Sequence, residues 1–128
     1  MGLTLMTFSK LYQAARAVTR PRKLSESAEA GGVGAAILTD SGKVYTGVCV
    51  DTASSMGFCA EHAAAAAMLT AGESRVVRML AVDRDGRVVP PCGRCREFIR
   101  QLHTDNLRAE VLVGEGVSVT LLELLPYA

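Results

Sequence analysis

Neither sign of charge predominates in this 128-residue chain: fourteen lysines and arginines stand against thirteen aspartates and glutamates, for a formal net charge of +1. That balance removes the broad positive field that draws proteins to phosphate backbones or anionic membranes, and it argues against nucleic acid as a partner. No run of about eighteen apolar residues occurs, so no membrane-spanning helix is expected. No secretory leader is expected either, because the apolar opening from Met1 to Met6 lacks a basic flank, a full hydrophobic region and a small-residue cleavage site. Internal repeats and low-complexity stretches are absent. Cysteines number only four, and the close spacing of Cys92 and Cys95 is not that of a disulfide framework. These absences predict a reduced, cytoplasmic protein with residues 1–128 forming one domain.

Phe8, Leu11, Ala15 and Val18 recur at helical spacing, which predicts an amphipathic helix over Thr7 to Thr19, closed by Pro21. The basic run Arg20, Arg22 and Lys23 then reads as a solvated helix end. Ser25 to Gly34 is small, polar and glycine-rich, and reads as a loop. Val33–Thr39 and Lys43–Val50 are strand-like and joined by Asp40-Ser41-Gly42, a hairpin connection. An aperiodic loop, Asp51 to Phe58, leads to an alanine-dense helix over Ala60 to Leu69, stopped at Ala71-Gly72. So much alanine predicts close packing on both sides, by the sheet and by another subunit. A third strand follows at Val76–Val82, then a turn, an extended approach through Pro90-Pro91, and a helix over Gly93–Leu102. Strands at Ala109–Val113 and Val117–Thr120 are joined only by Gly114-Glu115-Gly116, too short for a parallel crossover, so they are antiparallel. A short helix at Leu121–Leu125 ends the chain. The order predicts a three-layer α/β/α sandwich around a five-stranded mixed sheet.

Two short motifs fall at the starts of the second and third helices: Cys59-Ala60-Glu61 and Pro91-Cys92-Gly93-Arg94-Cys95. Zinc takes four tetrahedral ligands, and a catalytic site fills three from the protein and keeps one for water. Cys59, Cys92 and Cys95 are the candidate ligands of one zinc ion. Helix N-termini expose unpaired N–H groups that favour the thiolate form the metal needs. Glu61 lies beside the ligands without being one, and as a general acid–base it can move a proton between water, a ring nitrogen and departing ammonia. Three thiolates leave a negative cluster, so His62, Arg94 and Arg96 are candidates to support the sulfurs by hydrogen bonding. Other readings of the thiols are a structural zinc closed by Cys49 and a redox Cys-x-x-Cys; the second leaves Cys59 and Glu61 unexplained.

The motifs, the hairpin before them and the closing Leu124-Leu125-Pro126 resemble the zinc-dependent cytidine deaminase family, and within it the branch that deaminates blasticidin S. The resemblance implies hydrolytic attack on the amino-bearing carbon of a cytosine-type ring, a free small-molecule nucleoside as substrate, and a homotetramer with sites near subunit contacts. The family's Asn-x-Glu at the end of the second strand is replaced here by Cys49-Val50-Asp51, and the aromatic residue ahead of Val33-Gly34-Ala35-Ala36 is replaced by Gly31. A thiol is a weaker hydrogen-bonding group than an amide. The sequence therefore follows neither the cytidine nor the blasticidin S pattern in full. Candidate substrate-binding residues are Cys49, Asp51, Ser54, Ser55 and Phe58, with Tyr127 reaching in from the chain end or a neighbour. The rival functions are deamination of a different aminopyrimidine, a catalytically silent zinc-binding interaction module, and a nucleic-acid editing deaminase, the last disfavoured by charge balance and by cysteine at position 59.

Overall fold

A computed structural model describes residues 2–128, with side chains described from Thr7 onward. Helix α1 (Gly2–Val18) is followed by strands β1 (Arg22–Ser25), β2 (Ala28–Thr39) and β3 (Val44–Thr52), helix α2 (Ala60–Thr70), strands β4 (Val76–Asp83) and β5 (Val88–Val89), helix α3 (Gly93–Leu102), and strands β6 (Glu110–Gly114) and β7 (Val117–Thr120). Three short 3-10 turns, at Ala53–Ser55, Thr104–Arg108 and Leu122–Leu124, complete the chain. β2 pairs with β3 along one edge, and with β1 and β4 along the other. Beyond β4 come β5 and β6, then β7, with β4–β6 parallel and β6–β7 antiparallel.

The sheet has seven strands, so the expectation of five is corrected. β1 is four residues of Arg-Lys-Leu-Ser, all exposed, with no buried face for a hydrophobic alternation to report. Edge strands of this kind are short and charged because an apolar edge would invite aggregation. β5 has two residues, below the length at which periodicity means anything. β2 also starts earlier than expected, since its glycines are a bulge inside a strand: Ala30 pairs with Val50 but the next partners are Gly34 and Val48. Gly31, at φ +85, takes the left-handed conformation that such a bulge needs. The expected terminal helix is reduced to the 3-10 turn Leu122–Leu124.

Period-two alternation divides the core into two layers. Ala36, Leu80, Val82 and Leu112 face α1, where they bury Phe8, Leu11 and Ala15. Ala35, Ile37, Met79, Ala81 and Val111 face α2 and α3, against Ala64, Met68 and Ile99. The three-layer sandwich is therefore present, with α1 alone on one side. Alanine fills α2 because the helix lies almost on the backbone of β3. A Cβ added at Gly47 would sit 2.3 Å from the Ala64 nitrogen and 2.6 Å from the Ala63 carbonyl carbon. Asn106 fastens α3 to the sheet: its side chain accepts from the Val76 N–H at 2.7 Å and donates to the carbonyls of Ser74 and Ile99 at 3.0 and 2.9 Å. The starts of α2 and α3 lie side by side, with the sulfurs of Cys59 and Cys92 3.4 Å apart.

Candidate metal centre and substrate cavity

Cys59 and Cys92 each occupy the position just before a helix, with extended backbones at φ −76, ψ 158 and φ −68, ψ 167. Neither side chain caps its own helix, so both thiols are free to turn toward each other. Their sulfurs are 3.4 Å apart, and with Cys95 from the first turn of α3 all three Sγ atoms lie within 4.8 Å of one another. Ligands held tetrahedrally about 2.3 Å from zinc stand roughly 3.8 Å apart, so the triad has the spacing and the soft donor chemistry for that ion. Among the described residues it is the cluster that could hold a metal, and Cys49 is not part of it.

Electrostatics within the triad show why a dication belongs there. Burial and the hydrogen bond with Cys92 push the Cys59 thiol up to about 11. Burial, followed by the nearby Glu61 carboxyl and Cys59, raises Cys95 further. Cys92 moves the other way: burial opposes the change, but the N–H of Cys95, the Cys59 thiol and the N–H of Arg94 favour its thiolate. The expected lowering by helix N–H groups thus holds for Cys92, while Cys59 and Cys95 are raised, burial first in each. Three packed sulfurs can all ionise only with a cation among them.

Glu61, in the first turn of α2, is 4% exposed and faces the cavity. Burial raises its pKa against the lowering effect of a backbone N–H. His62 turns away to stack on Phe98, with ring centroids 4.3 Å apart, and lies 5.7 Å from Phe58. Burial and then Arg94 lower its pKa, which makes it a neutral ring in an aromatic wall. Arg96 donates to the carbonyls of Pro91 at 2.8 Å and Leu124 at 3.5 Å, bracing the entry to α3 against the chain end. Arg94 lines the cavity itself.

That cavity has a volume of about 670 Å³, within the range of sites for small organic ligands. Cys49, Asp51, Ser55 and Phe58 line it together with Cys59, Glu61 and Cys92. Ser54 does not line it, although Ser54 and Ser55 both hold left-handed backbones, at φ 63 and 55. Tyr127 is fully exposed and outside the lining of its own chain's cavity. The Cys49 sulfur accepts from the Val33 N–H at 3.2 Å and lies 3.9 Å from Asp51 Oδ2. It therefore occupies a donor that the bulge in β2 leaves unpaired. Gly32, Val33, Asp83, Arg84, Val89 and Pro90 also line the cavity and escape motif reading, because only the pairing of β4 with β2 and β5 brings them to it.

The family model described as "Cytidine and deoxycytidylate deaminase zinc-binding region" matches residues 9–110. A cytidine deaminase of Mycobacterium tuberculosis is 43% identical over 98 residues, covering 75% of this chain and 71% of the relative. A blasticidin-S deaminase of Bacillus cereus is 33% identical over 103 residues, covering 73% of this chain and 74% of the relative. Among solved structures, cytidine deaminase from Mycobacterium tuberculosis superposes with a TM-score of 0.79 at 31% identity, covering 94% of this chain and 95% of that one.

Proposed function

Because the chain belongs to the cytidine and deoxycytidylate deaminase family, we propose that it is a zinc-dependent aminohydrolase acting on the cytosine-type ring of a free nucleoside or nucleoside-like compound. The observation that carries this reading is the buried Glu61 carboxyl facing a small-molecule cavity beside three converging thiols. Cys59, Cys92 and Cys95 would hold the ion. When bound, zinc supplies Lewis acidity that makes water acidic enough to ionise near neutral pH.

Glu61 does the proton work. Water adds at the amino-bearing ring carbon as Glu61 takes its proton and delivers it to the ring nitrogen; a second transfer lets the amine leave as ammonia. A carboxyl with a raised pKa suits this two-way traffic, since it gives the proton up nearly as readily as it accepts it. Phe58, Val33 and Val89 make the apolar walls that would flank a flat ring. Arg94, also on the cavity wall, offsets the charge of the sulfurs. Cys49, Asp51 and Ser55 stand where the sugar side of the substrate would lie.

The reading extends to the whole molecule: residues 1–128 act as one domain, working in the cytoplasm, where thiols stay reduced. No helix among the described residues is long and apolar enough to cross a membrane. Ala66 and Ala67, exposed on α2, support assembly as a homotetramer, in which Tyr127 of one chain approaches the site of a neighbour.

The test is a panel of cytidine, deoxycytidine, other aminopyrimidine nucleosides and blasticidin S, incubated with the zinc-loaded protein and followed by the ultraviolet change on deamination. Turnover of at least one is expected. Full zinc occupancy without turnover of any would leave a silent zinc-binding module instead.

A further inference from the structure

A second cavity, of about 250 Å³, opens from the first through three shared residues, Gly32, Asp51 and Arg84. The junction is open because position 32 has no side chain: a Cβ there would stand 3.8 Å from Arg84 Nη2 and 3.9 Å from Cys49 Sγ. The Arg84 guanidinium thus lies over the passage between the two spaces. Arg22 and Lys23 of β1 line the far wall, with Glu29 and Asp51 on the floor. Lys23, Glu29 and Asp51 form one row across β1, β2 and β3, while the Lys23 ammonium pairs with Glu26 at 3.5 Å. Arg22 donates to the Arg20 carbonyl at 3.2 Å. Arg84 makes no hydrogen bond or ion pair among the described residues.

The geometry points to an anion-binding annexe of the substrate cavity, in which Arg84 recognises a phosphate or carboxylate substituent on the sugar side of the nucleoside. This inference rests on the nucleoside reading above. A planar guanidinium with free donors matches either oxyanion bidentately. Asp51 and Glu29 repel an anion from the β2–β3 floor and direct it toward Arg84 and Arg22. The annexe adds to what Cys49 leaves open: with its sulfur engaged by the Val33 N–H, the end of β3 offers Asp51 on the sugar side, and an ionic contact one residue beyond β4 supplements it.

Calorimetry on the zinc-loaded protein at low salt would compare uridine, uridine 5′-monophosphate and uridine 5′-carboxylate, which are product-like and independent of turnover. The anionic ligand should bind about tenfold more tightly than uridine, and Arg84→Gln should bring that ratio close to one. Whichever anion binds more tightly identifies the source. A ratio near one in the unmodified protein, or a preference that survives Arg84→Gln, overturns the annexe. Inorganic phosphate alone separates the two readings. Phosphate binding that is lost in Arg84→Gln, with no deamination of any nucleoside, upholds the annexe and sinks the deaminase reading; intact deamination with no anion preference does the reverse.

Discussion

Cys95 is the thiol with least freedom, since it is fully buried in the first turn of α3 and cannot swing aside to let water replace it. Cys95→Ser keeps nearly the same volume but removes the soft donor. Zinc retention should fall by at least about a hundredfold, read as metal content per chain after dialysis; retention of one zinc would remove Cys95 from the ligand set. Candidate ligands of this kind were legible in the sequence because a thiol and its neighbours share one short stretch: Cys59 with Glu61, and Cys92 with Cys95. Arg84 and Val89 were not, because each reaches the cavity only through strand pairing. Arg96 was legible as a neighbour of the thiols, yet its carbonyl partners Pro91 and Leu124 depend on where the chain end folds back.

At the scale of elements, the contact between α2 and β3 controls the site most directly, for Cys59 immediately precedes α2 and Glu61 lies in its first turn. Gly47→Ala places a methyl group against the backbone of Ala63 and Ala64, which cannot yield as a side chain would. The cost should be about 3 kcal/mol of stability, measured as a shift in urea midpoint, with zinc affinity falling too as α2 moves. The opposite end of α2 is tied by Glu73, which accepts from Ser41 at 2.6 Å and from Tyr45 at 2.5 Å. The Ser41 hydroxyl, then that of Tyr45, lower the Glu73 pKa, while the hydrogen bond to Glu73 raises that of Tyr45. A depressed carboxyl stabilises above its unfolded value and loses that contribution as pH falls; a raised phenol stabilises below its unfolded value and loses it as pH rises. The stability difference between the unmodified protein and Glu73→Gln should therefore be largest between about pH 4.3 and 10, and should shrink on the acid side in urea titrations. A difference that stayed constant through pH 3 would show the network to be energetically silent. Helices and the hairpin were readable because their periods are long and their turns explicit. β1 and β5 were hidden by exposure and brevity, and the glycines of the β2 bulge look like loop residues until Val33 N–H is seen to find Cys49.

For the whole molecule, the order of layers follows from hydrophobic alternation and short connections, and the site lies where two helix starts meet above the sheet. Seven strands instead of five leave that placement unchanged, because the added strands attach at the edge of β2 and at the end of β4. Self-assembly belongs to this scale as well: sedimentation of the zinc-loaded protein should give the mass of four 13.5 kDa chains, and a monomer would remove any role for a neighbour's Tyr127. The proposed reaction depends above all on Glu61 acting as the proton carrier beside a zinc ion held by three thiols. The most direct measurement is ammonia release from the nucleoside turned over best, with zinc content determined on the same samples, for the unmodified protein and Glu61→Gln. One zinc per chain in both, with turnover reduced by about a hundredfold or more in Glu61→Gln, is the predicted result; full turnover in Glu61→Gln would contradict it.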